Sequence, residues 1–160
     1  MGHRTLQGSF HTVSLSPDDR EAQALLTAHT ALIRQVDRDE TCHVMTAEQL
    51  RAEGVALFGL RDDAGLRAIA GLRQIGPSHG EIKSMHTAVG YRGRGLARRL
   101  LRHVMDEARR QGLERLSLET GTAPDFAAAR AVYHAEGFAA CLPFGTYRAH
   151  PLSLFMTRIL

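Results

Sequence analysis

The segment YRGRGLA, at positions 91–97, places two glycines and two arginines between a strand-like run and a strongly helical run. The start of a helix has several unpaired backbone N–H groups and a partial positive charge. It therefore binds phosphate readily, and glycine lets the backbone approach an anion closely. The side chains of Arg92 and Arg94 add positive charge. These residues in this order predict a site for a phosphate-bearing ligand.

The spacing of this segment differs from two common phosphate-binding motifs. A P-loop reads G-x-x-x-x-G-K-[ST], but the segment has neither the lysine nor the hydroxyl residue in place. A dinucleotide-binding motif reads G-x-G-x-x-G, whereas GRGLAR ends in Arg98. The pattern that fits is R-x-x-G-x-A, formed by Arg92, Gly95 and Ala97.

The strand and helix around this segment are predicted from apolar periodicity and turn residues. The segment GEIKSMHTAV (80–89) is expected to be the strand before it, and RLSLETG (115–121) the strand after it. Between them a long helix is expected from about Gly95 to Gln111, ending at Gly112. Such a strand–helix–strand unit should form a right-handed parallel crossover.

The long helix is predicted to be amphipathic. Its apolar side repeats at helical spacing through Leu96, Leu100, Val104 and Ala108. Its opposite side carries an arginine stripe at i, i+4 spacing, formed by Arg94, Arg98 and Arg102. Arg94 and Arg98 lie near the helix start, where phosphates would bind. Arg102 and Arg110 are expected to pair with Asp106 in water, where each pair contributes little.

The remaining elements complete an α+β pattern. Further strands are predicted at 10–15, 55–63 and 66–76 and in two segments that close the chain. Further helices are predicted after Ser16, at 46–54 and at 123–138, with Ser16 and Thr46 as N-caps. The order β-α-α-β-β-β-α-β-α-β-β favours a mainly antiparallel twisted sheet of about seven strands flanked by four helices.

Length and composition favour one domain spanning residues 1–160. The chain is 44% hydrophobic, which is enough for a single core. No apolar run reaches the ~18 residues of a membrane helix, and the N-terminus lacks the apolar core of a signal peptide. A cytoplasmic protein without a membrane partner is therefore expected. Cys42 and Cys141 are expected to be reduced thiols, and the histidines show no metal-ligand spacing, so no metal is expected.

The net charge of +3 comes almost entirely from arginine, since Lys83 is the only lysine. Such mild basicity is compatible with a nucleic-acid partner or with an anionic cofactor. Only 6% of the residues are aromatic and tryptophan is absent, which argues against recognition of single strands by stacking. A nucleic-acid binder would also leave the glycine turn unexplained, so an anionic cofactor is favoured.

At the pattern R-x-x-G-x-A the sequence resembles the GNAT acetyltransferase superfamily, whose phosphate loop reads Q/R-x-x-G-x-G/A and opens a long helix after a strand. The segment AVYHAEGF (131–138) resembles the superfamily's Y-x-x-x-G-F element. The resemblance covers nearly the whole chain, most strongly 80–138. The C-terminal PFGTYRAHPLSLFMTRIL is similar to a bacterial subgroup of the small-molecule type.

The resemblance implies acetyl-CoA as co-substrate and N-acetyl transfer as the reaction. The pyrophosphate would be held by backbone amides of Arg92, Gly93, Arg94, Gly95, Leu96 and Ala97, with Arg98 near the phosphates. The strand edge at Met85, His86 and Thr87 would offer main-chain hydrogen bonds to pantetheine, in the manner of strand addition.

The resemblance also implies residues for the chemistry. Transfer from a thioester to an amine needs a base for the amine proton, a donor for the oxyanion and a proton for the thiolate. Tyr133 is the implied donor to the thiolate, because a phenol both donates and accepts. Glu81, on the strand before the loop, and Glu119, on the strand after the helix, are the two candidate bases. In a regular strand the side chain of His86 points away from that of Glu81, which favours a main-chain role for His86.

The acceptor site is expected opposite the cofactor, between the loop 37–45, the second helix and the loop PFGTYRAHP. Acidic residues there would attract a cationic amine: Asp37, Asp39 and Glu40. Arg148 would instead bind a carboxylate. One position departs from the superfamily, because Phe126 stands where many members carry an asparagine that contacts CoA. Contacts from 123–130 to the cofactor therefore stay open.

Other functions remain open at this point. The acceptor would be a protein amine, at lysine or the N-terminus, if its cleft were wide. A non-catalytic sensor would bind acyl-CoA without turnover, and a nucleic-acid binder would show steep salt dependence through the arginine stripe. A homodimer, common in the superfamily, is compatible with the sequence through the final strand.

Overall fold

The computed structural model describes residues 9–37 and 45–160. Within these residues the strands are β1 (His11–Leu15), β2 (Ala56–Asp62), β3 (Gly65–Gln74), β4 (His79–Thr87), β5 (Arg115–Gly121), β6 (Ala139–Cys141) and β7 (Ser153–Ile159). They form one sheet in the order β1-β2-β3-β4-β5-β7-β6. All neighbours are antiparallel except β4 and β5, which run parallel. The predicted α+β class with a parallel crossover is confirmed.

The described residues also contain four α-helices, the number predicted. They are α1 (Arg20–Val36), α2 (Ala47–Ala52), α3 (Leu96–Arg110) and α4 (Ala127–Ala135), with a 3₁₀ turn at Pro124–Phe126 before α4. The capping box of α2 is confirmed, since Thr46 and Gln49 bond reciprocally. The cap of α1 differs from the prediction. Asp19 accepts the Ala22 amide at 2.9 Å, while Ser16 sits one turn earlier and bonds Asp18 instead.

Two apolar layers hold the sheet between the helices. Helix α3 packs one face of the sheet, and Leu100, Leu101 and Val104 are fully buried there. Helices α1 and α2 cover part of the other face through Leu26 and Leu50, which pack with residues of β2 and β3. The apolar side predicted for the long helix is therefore the side that packs on the sheet, because burial of an apolar stripe holds such a helix in place.

Strand β4 is irregular, and this corrects the prediction for His86. The register with β3 passes from Gly71–Lys83 to Ile69–His86, so one extra residue lies on β4. Ser84 takes a φ of 55°, in the left-handed region that few non-glycine residues adopt. Because a bulge shifts the alternation by one residue, the side chain of His86 lies on the same face as that of Glu81. The prediction that the His86 side chain points away from that of Glu81 assumed a regular strand, and it is wrong for this bulged strand.

Candidate active site

The gap between β4 and β5 is the main opening in the sheet. These two strands pair only from His79–Arg115 to Ile82–Leu118, although β4 continues to Thr87 and β5 to Gly121. Beyond Ile82 the two strands diverge, so β4 presents backbone N–H and C=O groups that β5 does not pair. An extended ligand can add to such an edge as a further strand would.

A cavity of about 270 Å³ occupies this gap and continues to the start of α3. The residues predicted to bind the cofactor that line it are Met85, His86, Thr87, Arg92, Gly93, Gly95, Leu96, Ala97 and Arg98. Arg94 does not line the cavity. Its guanidinium lies 4.9 Å from the centre of the Tyr91 ring and donates to the Gly90 carbonyl at 3.3 Å. The structure thus brings together the strand edge and the glycine turn that were predicted separately.

The turn before α3 is shaped for an anion. Gly93 and Gly95 take φ values of 76° and 77°, which strongly favour glycine. A Cβ at either position would meet no heavy atom within 4 Å, so the turn faces open space. Among the described residues, no backbone N–H from Arg92 to Arg98 donates a hydrogen bond. Open amides at a helix start are the arrangement that phosphate groups bind.

Helix α3 is tied to α4 beside this turn. Arg98 contacts the carboxylate of Glu136, and the Arg102 Nε bonds the same carboxylate at 3.0 Å. The Glu136 side chain is only 8% exposed. The bond from Arg102, followed by that from Arg98, lowers the pKa of Glu136 against the opposing effect of burial. A carboxylate at the C-terminal end of α4 therefore holds Arg98, which was predicted to lie near the phosphates, together with Arg102.

This network corrects the predicted partners of the α3 arginines. Arg102 pairs with Glu136 across the helices and not with Asp106 along its own helix. Asp106 instead accepts from Arg109 at 3.1 Å, and Arg110 contacts Glu107. The sequence prediction considered only neighbours on one helix, where i, i+3 and i, i+4 pairs meet. A partner that lies 34 residues away is invisible to that rule.

Tyr133 lies at the inner end of the cavity. It is 6% exposed and packs edge-on against Phe138 with ring centres 6.0 Å apart. It lines the cavity together with β4 residues Met85, His86 and Thr87. In the described residues no hydrogen bond involves its hydroxyl, and burial raises the pKa of the phenol. The hydroxyl is therefore protonated at neutral pH and can donate to an incoming group.

A second cavity, of about 120 Å³, adjoins the first. Both are lined by His29, Met85, Phe126, Ala129 and Tyr133, so they meet at these side chains. The residues that line the second cavity include two acids, Asp37 after the end of α1 and Glu119 on β5. This places Glu119 at the smaller cavity. A positively charged group is favoured next to such carboxylates.

Glu81 has different surroundings. It is 1% exposed and lines neither cavity. Arg73 donates to one of its oxygens at 2.7 Å, and the Tyr147 hydroxyl donates to the other at 2.5 Å. Burial, followed by the bond to Glu81, raises the pKa of Tyr147. Tyr147 was missed by sequence reasoning, since it lies 66 residues from Glu81 in the PFGTYRAHP loop and carries no motif.

Two histidines meet where the cavities join. His29 of α1 and His86 of β4 approach with their Nδ1 atoms 3.3 Å apart and their rings nearly perpendicular at 73°. Burial lowers the pKa of His29 to about 4, with a smaller contribution from His86. Burial also lowers the pKa of His86, followed by the nearby Arg92. His29 was not singled out in the sequence, because nothing in the helical pattern of α1 marks it.

Phe126 occupies the position where an asparagine was expected from the family resemblance. Its ring lies over Gly121, where a Cβ would come within 2.2 Å of the ring. It lines both cavities, so this region borders the site through an aromatic ring and not an amide. Of the other predicted residues, Asp39, Glu40 and Cys42 lie outside the described residues.

Comparison with known proteins agrees with this architecture. Residues 17–138 match the model of the Acetyltransferase (GNAT) family. The chain belongs to the GNAT acetyltransferase family. It is 35% identical to the uncharacterized N-acetyltransferase YsnE of Bacillus subtilis, over 87% of this chain and 92% of that protein. It is 38% identical to the uncharacterized N-acetyltransferase YedL of Escherichia coli, over 84% of this chain and 85% of that protein.

The solved structures show the same fold. A Klebsiella pneumoniae protein, assigned as an acyl-CoA N-acyltransferase, superposes with a TM-score of 0.78 at 26% identity, covering 94% of this chain and 97% of that chain. The IAA acetyltransferase of Bacillus cereus superposes with a TM-score of 0.69 at 16% identity, covering 95% and 100% of the two chains. This protein is therefore an enzyme of the acyltransferase class, and its family uses an acyl-CoA and an acceptor. No helix among the described residues is long and apolar enough to span a membrane.

Proposed function

We propose that this GNAT enzyme transfers the acetyl group of acetyl-CoA to the primary amine of a small molecule or amino acid. The observation that carries the proposal is the continuous path from the open amides before α3, along the unpaired edge of β4, to the junction of the two cavities. Such a path would let a phosphate-bearing thioester meet a second substrate at the junction.

Binding of the co-substrate follows from the backbone. The amides from Arg92 to Ala97 would hold the pyrophosphate, because their N–H groups face open space at a helix start. The main chain at Met85–Thr87 would bond the pantetheine amides along the free strand edge. The thioester would then lie near Tyr133, at the inner end of the larger cavity.

The chemistry requires one bond to form and one to break. The amine nitrogen attacks the thioester carbonyl carbon, a C–N bond forms, and the C–S bond breaks. The amine loses a proton and the departing sulfur gains one. Tyr133 would donate its hydroxyl hydrogen bond to that sulfur, since burial keeps the phenol protonated. Of the two carboxylates predicted as bases, Glu119 borders the smaller cavity, whereas Glu81 is buried and lines neither cavity.

A small cationic acceptor is favoured by the second cavity. Its volume of about 120 Å³ suits a few non-hydrogen atoms around the reacting nitrogen. Asp37 and Glu119 on its wall would attract an ammonium group and concentrate it at the opening. No observation favours a protein amine or a purely sensory role, so these remain outcomes of the test.

The test is a thiol-release assay with acetyl-CoA and a panel of amino acids, polyamines, aromatic amines and N-terminal peptides. The proposal expects release with at least one small amine, together with the acetylated product by mass spectrometry. Release only with peptides would indicate a protein acceptor. Binding of acetyl-CoA without release across the whole panel would contradict the enzymatic proposal.

A further inference from the structure

The contact between His29 and His86 is unusual because it joins two imidazoles at the meeting point of the two cavities. His29 lines both cavities, and His86 lines the larger one. Their Nδ1 atoms are 3.3 Å apart, which is within hydrogen-bond distance. Two nitrogen atoms at this distance share one proton, because one must donate and the other accept.

The position of the shared proton determines whether the Nε2 atom of each histidine is protonated. If His29 donates its Nδ1–H to His86, the Nε2 of His29 is unprotonated and can accept a proton. His86 then carries its own proton on Nε2. A histidine whose Nδ1–H is held by a partner is the arrangement that leaves Nε2 as a base in many catalytic sites. The bulge in β4 creates this contact, since it turns His86 toward α1.

Resting on the proposed acetyl transfer, we propose that His29 accepts the proton of the attacking amine and that His86 is its positioning residue. As the C–N bond forms, the amine proton moves to the Nε2 of His29. The resulting imidazolium donates its Nδ1–H to His86, which stays neutral. As the C–S bond breaks, the proton leaves Nε2 for the sulfur, with Tyr133 as a hydrogen-bond donor to the same atom. The free amine and the thioester thus become the amide and the thiol, and His29 returns to its starting state.

The surroundings of His29 keep its ring neutral before the reaction. Burial is the main reason why its pKa is low, so the ring is unprotonated throughout the neutral range. The other titratable and charged groups that line the two cavities come from several elements: Asp37, His86, Tyr91, Arg92, Arg98, Glu119, Asp125 and Tyr133. Arg92 lowers the pKa of His86 as well, so neither ring carries an extra proton before the reaction.

The first test compares variants at His29 using acetyl-CoA and the most active amine of the panel. His29→Asn keeps a donor near the Nδ1 position but has no group at Nε2, so we expect kcat to fall about 100-fold. The Kd for acetyl-CoA should change less than about twofold, since the phosphate turn is untouched. His103→Gln is the matched control, because His103 packs on Phe58 and lines neither cavity. Wild-type-like turnover of folded His29→Asn would overturn the proposal.

Rescue separates a chemical role from a packing role. His29→Ala opens a space that adjoins both cavities, so added imidazole should restore part of the lost kcat. Propionamide, which offers an amide but no base, should restore none. Equal restoration by both compounds would mean that His29 only fills space. This arm also covers the case in which the asparagine variant does not fold.

A third measurement does not depend on turnover. Nitrogen-15 NMR of labelled histidines, with and without acetyl-CoA, reports which ring nitrogen carries the proton. We expect His29 protonated at Nδ1 with a bare Nε2, and His86 with the opposite tautomer. A proton on the Nε2 of His29 in the acetyl-CoA complex would overturn the proposal. A wild-type protein that acetylates no amine of the panel would overturn the proposed function itself, which is a different result.

Discussion

The proposed cofactor side and the proposed acceptor side of the active site differ in the groups that form them. The cofactor side consists of backbone: open amides before α3 and the unpaired edge of β4. The acceptor side consists of side chains that come from α1, β5 and the segment before β7, at the wall of the smaller cavity. A site made of backbone groups depends on glycines at fixed spacing in the sequence. A site made of side chains instead depends on the fold, which brings distant residues together. Changes to the first region should abolish binding, and changes to the second should alter rate or stability.

The variant Gly95→Glu is the strongest test of the proposed cofactor side. The new side chain would add bulk and negative charge to a turn that faces open space at a φ of 77°. We expect acetyl-CoA affinity to fall by more than about 100-fold, because both the backbone approach and the electrostatics are lost. Calorimetry on the folded variant measures this.

The matched control is Gly90→Glu. Gly90 also has a positive φ, of 91°, and open space around an added Cβ, yet it does not line the cavity. It should suffer similar backbone strain while keeping affinity within a few-fold. Equal losses in both variants would mean that the turn is needed for the fold and not for the ligand.

Tyr133→Phe tests the junction between the two regions. The ring should stay packed on Phe138, so acetyl-CoA affinity should change less than about twofold, whereas kcat should fall about 10²-fold through loss of the hydrogen-bond donor to the departing sulfur. Steady-state kinetics and calorimetry on one preparation separate the two effects. Parallel losses in affinity and kcat would instead assign Tyr133 to binding or packing.

His29 adds a prediction about stability. The unfolded chain binds a proton at His29 below its ordinary pKa of 6.5, but the folded protein does so only near 4. The unfolded state therefore binds more protons between these values, and stability falls as pH is lowered through this window. At about 1.4 kcal/mol for each pH unit, the loss is on the order of 3 kcal/mol. Denaturant unfolding of His29→Asn from pH 7 to pH 4 should show a shallower decline than the wild type. An unchanged decline would mean that His29 is protonated in the folded protein.

Variants of the two carboxylates, Glu119 and Glu81, test which of them takes part in the reaction and which stabilises the fold. Glu119→Gln should lower kcat about tenfold with a small effect on stability, because Glu119 lies at the exposed wall of the smaller cavity. Glu81→Gln should lower the unfolding free energy by about 1–3 kcal/mol, since Arg73 keeps Glu53 but loses its buried carboxylate partner. Thermal unfolding and kinetics on both variants decide between them. A large loss of turnover in stable Glu81→Gln would assign the base to Glu81 and contradict the proposed role of His29.

The sequence predicted the backbone region well, for a physical reason. The order of strands and helices follows from apolar periodicity and turn residues. The glycine turn is recognised from the spacing of its arginine, glycine and alanine residues. Positive φ at Gly93 and Gly95 is a local property, so the local sequence reveals it. The predicted strand edge was also found, because the neighbouring strand and helix fix where β4 ends.

The side-chain region was harder to predict, because its contacts join residues that are far apart. Tyr147 reaches Glu81 across 66 residues, and Glu136 holds Arg98 across 38. The orientation of the His86 side chain depends on a bulge at Ser84. No glycine, asparagine or aspartate at that position indicates the bulge in the sequence. Its contact with His29 spans 57 residues and could not be predicted without that bulge.

The most direct test of the central claim is titration calorimetry of the wild-type protein with acetyl-CoA, free CoA and NAD. The account predicts micromolar-range binding of the two CoA species and none of NAD, because the turn and the strand edge together match a pyrophosphate joined to an extended amide chain. Absence of binding by acetyl-CoA and CoA would contradict it, and the glycine turn would then be a plain connection before an arginine-rich helix.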